Sequence, residues 1–211
     1  MLDKRDIALH ALTPSVMVPK FSELAVLENA GHRFLVAGNG LWMEVKRAWL
    51  TLCVPLAQQY AVPMPYGNLN QKIEFSFGAL PVAFLKQFIE EAQRNLPNEC
   101  AAWFIWNEET GAMRFEMLTA DNASSGSITY RCPELGEGEH FVADIHSHGL
   151  SHAFFSCQDN DDDRTETKIA VVVGNVDTGK PSMKTRLCAN GYFVDLPNYD
   201  FSSAKGNLNA T

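Results

Sequence analysis

The chain has no cluster of lysines or arginines, no C-x-x-C pair, no long apolar run and no Gly-rich turn between a strand and a helix. With 17 Lys and Arg against 25 Asp and Glu, the formal net charge is -8. Phosphate contacts need grouped cations, so nucleic acid and anionic membranes are not expected as partners. Five cysteines (Cys53, Cys100, Cys132, Cys157 and Cys188) are odd in number and widely spread. That excludes a zinc ribbon or a redox dithiol and suits reduced thiols in a cytoplasm. The opening "MLDKRDIALHALTP" mixes both charge signs and lacks a long apolar core, so no secretory signal is expected. The longest apolar run, "WLTLCVPLA", is far short of a bilayer span. Without a Gly-rich strand-to-helix turn, a dinucleotide-binding sheet is excluded as well.

What is present is enough to bury a core: 46% of the 211 residues are apolar. Residues 1–71 read as a β-rich module, with a hairpin predicted around Gly38-Asn39-Gly40. Its last stretch, "VPMPYGNLNQ", is rich in Pro, Gly and Asn and predicts a module boundary. From residue 72 the pattern becomes strand, helix, strand, strand. "IEFSFG" alternates, and "PVAFLKQFIEEAQRNLP" places Val82, Leu85, Phe88, Ile89, Ala92 and Leu96 on one helical stripe. "CAAWFIW" and "MRFEML" follow as a hairpin, "DNASSGS" as a loop, then "ITYRC" and "HFVADIHSH" as strands. A helix ending near "DRTETK", a buried strand over Ile169–Val173 and a hairpin at Asn190-Gly191 complete the second domain, 72–197. Residues 198–211 read as a loose polar tail. The fold class expected is mixed α/β (α+β).

Between Asp144 and Asp163 the text gathers three histidines, three serines and five aspartates. His146 and His148 are two apart; on a strand both face one way and can converge on one ion. A tetrahedral zinc of the catalytic kind needs a third protein ligand and keeps a water. Asp159 is the natural third, at the polar start of a helix where a carboxylate suits the dipole.

H-x-H, seven residues, then S-x-x-D resembles the signature of the JAMM (MPN+) metalloproteases at His146, His148, Ser156 and Asp159. The resemblance implies a mixed sheet sandwiched by helices, of the cytidine-deaminase-like type. It also implies a zinc-dependent hydrolase of peptide or isopeptide bonds beside the C-terminus of a ubiquitin-like protein. The family's upstream glutamate falls on Glu99 in "NECAAWFIW", which would serve as general base and then acid. Ser156 would donate to the oxyanion. Two positions depart from the common pattern, Ala102 for a glycine and Gly149 for a proline, and neither is a ligand position. Within the family the whole-chain pattern is most similar to the PRTRC branch, found in bacterial plasmid cassettes that also encode a ThiF-like activating enzyme and a small ubiquitin-like protein. Those two become the expected partner and substrate.

Blander readings stand beside these. S-x-x-D before a helix is also an N-cap, and one hydroxyl is expected to serve only one of the two roles at a time. Asp144 shares a face with His146 and could hold an imidazole N–H; His152 could touch substrate; either could be a plain surface position. Asp161, Asp162 and Asp163 do not form a calcium loop, since positions six and twelve from Asp159 are Arg164 and Ala170. A Cys157 thiol protease would leave the H-x-H pair unexplained. A metal-free scaffold and a zinc-stabilised binding module remain the alternatives to an enzyme.

Overall fold

In a computed structural model of the chain, residues 2–58, 60, 62–197, 199 and 201 are described. The described residues divide into two compact units, the first ending at Gly78 and the second beginning at Ala79. No helix among the described residues is long and apolar enough to cross a membrane.

The first unit begins with helix α1 (Lys4–Leu12), capped by the Asp3 carboxylate and burying no side chain. A sheet of five strands follows in sequence order: β1 (Ser15–Met17), β2 (Gly31–Ala37), β3 (Gly40–Lys46), β4 (Leu50–Ala57) and β5 (Lys72–Phe75). The β2–β3 hairpin turns where expected. Gly40 has φ of 139°, and a Cβ there would lie 2.1 Å from the Ala57 carbonyl oxygen, so the turn needs glycine. Val18, Leu35, Ala37 and Trp42 form a core on this sheet, joined by Val16, Leu24, Cys53 and Leu69. The boundary expected after residue 71 falls after Gly78 instead, because Lys72–Phe75 adds to β4 as the fifth strand.

The second unit is a mixed sheet of six strands with two helices. Helix α2 (Val82–Asn95) leads into β6 (Ala101–Asn107) and β7 (Met113–Met117). The stretch predicted as a polar loop holds a further strand, β8 (Ala120–Ala123), which pairs with β9 (Ile128–Tyr130) as a separate short hairpin. Then come β10 (Glu139–Ser147), α3 (Cys157–Asp163), β11 (Thr167–Gly174), β12 (Ser182–Ala189) and β13 (Tyr192–Asp195). The strand order is β13-β12-β11-β10-β6-β7, parallel between β10 and β11 and antiparallel elsewhere. The second unit is thus the expected mixed α+β domain, behind a β-rich N-terminal region.

Register gives the two faces of this sheet different chemistry. Ala102, Phe104, Ile145, Ile169, Val171 and Leu187 share one face, all but dry. Helix α2 lies against it, with the Phe84 ring 6.2 Å from Phe104 and 5.4 Å from Phe115. Only Phe88 and Ala92 of the predicted stripe are fully covered. The other face carries Asp144, His146, Lys168, Ala170, Arg186 and Cys188. Of the tail expected from residue 198, Tyr199 and Phe201 are described and both are buried; the Leu80 N–H donates to the Tyr199 hydroxyl at 3.2 Å. The rest of 198–211 lies outside the described residues.

Candidate metal centre

His146 lies in register between Ala101 of β6 and Val172 of β11, on the polar face. His148 continues the line just past the strand, its N–H donating to the Val173 carbonyl at 2.8 Å. Ser147 between them turns the opposite way and accepts a hydrogen bond from the Cys100 N–H at 3.0 Å. That bond, with Ser147 N–H to Cys100 O at 3.0 Å, ties the strand of the histidines to the residue next to Glu99.

The two Nε2 atoms stand 3.2 Å apart. Asp159 brings Oδ1 to 3.4 Å from His146 Nε2 and Oδ2 to 3.9 Å from His148 Nε2. One ligand atom from each of the three residues lies within 4.8 Å of the others. Donors set tetrahedrally around zinc at about 2.0–2.1 Å are about 3.3 Å from one another, so the spacing fits. Burial is the main cause lowering the pKa of both histidines, which keeps the imidazoles neutral with lone pairs to offer. Two neutral imidazole nitrogens face to face, with a carboxylate beside them, form a donor set for a divalent cation.

Asp159 is placed by its own helix start. Ser156 is the N-cap of α3: its Oγ accepts from the Asp159 N–H at 3.1 Å, and its N–H donates to Asp159 Oδ2 at 2.6 Å. This capping box holds one carboxylate oxygen and leaves Oδ1 toward the histidines. Burial raises the Asp159 pKa, and His146 together with the Ser156 hydrogen bonds outweighs it, so the net shift is downward. The expected conflict between cap and donor dissolves here. Capping uses a lone pair of the hydroxyl and leaves its proton free to be donated.

Glu99 follows α2 at the entry to β6 and is 8% exposed. Its N–H donates to the Ser124 carbonyl at 2.8 Å, so the β8–β9 loop fixes its backbone. Burial, then the Asp159 carboxylate, pushes its pKa up to about 7. Glu99, His146, His148, Ser156 and Asp159 all line one cavity of about 270 Å³, whose other wall includes Ser125–Ile128.

Of the two remaining candidates, Asp144 also lines this cavity and His152 is not among its lining residues. His152 is exposed, 5.4 Å from the Phe154 ring, and not in the ligand group. The Asp144 carboxylate is engaged by Lys168 Nζ at 2.7 Å, not by an imidazole among the described contacts. Lys168 and Arg186, which organise the polar face, had no local signal in the sequence.

Residues 81–188, more than half of the chain, match the family of prokaryotic homologs of the JAB domain. The chain belongs to that family. JAB domains are often hydrolytic and some prokaryotic members are inactive, so membership supports a metal-dependent hydrolase or a scaffold. Residues 3–76 match a domain of unknown function, DUF2016. Among curated proteins, none matches. The solution structure of a protein from Desulfitobacterium hafniense aligns with 56% of this chain and 88% of its own, at 15% identity and a TM-score of 0.44.

Proposed function

We propose that this JAB domain is a zinc-dependent peptidase or isopeptidase acting at the C-terminus of a ubiquitin-like protein. The observation that carries the reading is the meeting, in one cavity, of three converging ligand atoms and a carboxyl group with a pKa near 7. His146, His148 and Asp159 would hold the ion. Zinc, if bound there, would supply Lewis acidity and lower the pKa of a water to about 7.

The remaining chemistry belongs to the chain. Glu99, poised near neutrality, takes a proton from the attacking water and hands it to the leaving amine. Ser156 donates a hydrogen bond from its hydroxyl to the oxyanion that forms as the carbonyl is attacked. The cavity has walls from α3 and the β8–β9 loop, which would confine a slender chain end beside these groups. A ubiquitin-like tail has that shape. The PRTRC-type resemblance of the sequence supports one choice of substrate, the small ubiquitin-like protein of such a cassette, free or conjugated, with a ThiF-like activating enzyme as partner. Five free cysteines are in keeping with a cytoplasmic setting.

The test is to incubate the purified chain with such a ubiquitin-like protein extended at its C-terminus. Trimming that stops with EDTA is expected, and E99Q is expected to keep its zinc while losing 10²-fold or more of the rate. Trimming untouched by chelation overturns the zinc mechanism. Zinc uptake with no cleavage of any extended or conjugated substrate leaves a zinc-stabilised binding module.

A further inference from the structure

Helix α3 carries the ligand Asp159 and has no hydrophobic anchor. Its sequence is CQDNDDD, and its one buried residue is Asp163, 4% exposed. An amphipathic helix is seated by its apolar stripe; this one must be seated by charge. Two buried cations meet Asp163. Lys168 Nζ donates to Oδ1 at 2.7 Å, while Arg186 donates to Oδ2 through Nη2 at 2.5 Å and Nε at 3.2 Å.

Neither cation stops at Asp163. Lys168 also holds Asp144 at 2.7 Å, two residues before His146 on β10. Arg186 reaches up the helix, with Nη1 to Asn160 Oδ1 at 2.5 Å and Nη2 to the Asp159 carbonyl at 3.2 Å. Its guanidinium is itself held by two rings, Phe155 at 3.7 Å and Phe193 at 4.2 Å from their centroids. A planar guanidinium with five donors in a rigid fork can hold three points on one helix in a fixed geometry that an ammonium, a compact point charge on a flexible stem, does not reproduce.

We propose that Arg186 is the positioning residue of the metal centre: it clamps α3 at Asp159, Asn160 and Asp163 so that the Asp159 carboxylate stands against His146 and His148. Lys168 closes the same frame onto the histidine strand. The ligand set is thereby held together ahead of the ion, which raises affinity by lowering the cost of ordering it. This rests on the reading of His146, His148 and Asp159 as zinc ligands.

The experiment compares the full chain with R186K, N160A and F104L, the last being a control that loosens the opposite face of the sheet. Zinc affinity is read by competition with a chromophoric chelator, ligand geometry by the visible absorption of the cobalt-substituted protein, and stability by melting after chelation. R186K is expected to bind zinc about 10- to 100-fold more weakly and to change the cobalt spectrum. N160A, which removes one grip only, is expected to lose less in the same direction. F104L should melt earlier with its zinc affinity unchanged. Equal affinity in R186K, N160A and wild type overturns the proposal, as does an equal loss in F104L. If R186K does not fold, N160A decides: weaker zinc supports the clamp and wild-type affinity overturns it. A wild-type chain that takes up no zinc sinks the metal centre together with the clamp, whereas zinc uptake indifferent to Arg186 and Asn160 sinks the clamp alone.

Discussion

Glu99 is an acid kept where its charge is disfavoured, by burial first and by Asp159 second. In the chelated protein its pKa near 7 lies above the ordinary carboxylate value of 4.5. Between those two values the folded chain binds more protons at this site than the unfolded chain does. Its contribution to stability is therefore full below about 4.5 and declines as the pH rises toward 7. E99Q carries no such group. Melting wild type and E99Q after chelation, from pH 5 to 7.5, should show the variant gaining on wild type as the pH rises; a constant difference would mean that Glu99 is not shifted. Ser156 permits a separation of roles at the same scale. S156A loses both the cap and the donor, and S156D keeps an accepting cap oxygen without a hydroxyl proton. Melting should fall by the equivalent of about 1 kcal/mol in S156A and recover in S156D. Hydrolysis should fall about 10²- to 10³-fold in both, as for other single oxyanion donors. Recovery of rate in S156D would leave Ser156 a cap only.

At the scale of elements, the two faces of the second sheet should fail differently. Phe104 is fully buried on the face under α2, against Phe84 and Phe115. F104A should cost about 3–5 kcal/mol in a denaturant titration, the range for large cavities in a core. Its zinc affinity, measured on folded protein, should not move, because no ligand lies on that face. Elements that bury an apolar face were legible in the sequence for the same reason. α2, β6, β7, β10, β11 and the β2–β3 hairpin announce themselves by period and turn residues. β8 was not, since "ADNA" has no apolar alternation and is made a strand only by its partner β9. Nor does the sequence announce the division between β3 and β4, because the turn near Arg47 to Trp49 lacks Gly and Pro. α3 could be read only from its cap, S-x-x-D, having no apolar stripe. The candidate ligand trio was legible as spacing along one strand and one helix start. Its supports were not: Arg186 meets Asp163 across 23 residues, a pairing fixed by strand register and not by neighbours in sequence.

Across the whole molecule, the candidate ligands and the groups around them come from one unit. Glu99, His146, His148, Ser156 and Asp159 all fall within Ala79–Ala204, and the first unit has a sheet and a core of its own. The sequence placed the change of module in the right region, yet stopped it at residue 71, because Pro, Gly and Asn mark a turn and say nothing of whether the next strand returns to the same sheet. With Lys72–Phe75 as the fifth strand, a cut at 71 would strip an edge from the first sheet and expose β4. A cut after Gly78 respects both sheets. A chain beginning at Ala79 is thus expected to bind zinc with the affinity of the full protein, measured by the same chelator competition. If residues 1–78 serve to dock the protein substrate, the shortened chain should still cleave a small peptide at the full rate, while KM for a ubiquitin-like protein rises. Loss of zinc binding on that truncation would show that the metal centre needs the first unit, against the confinement of all its ligands to the second.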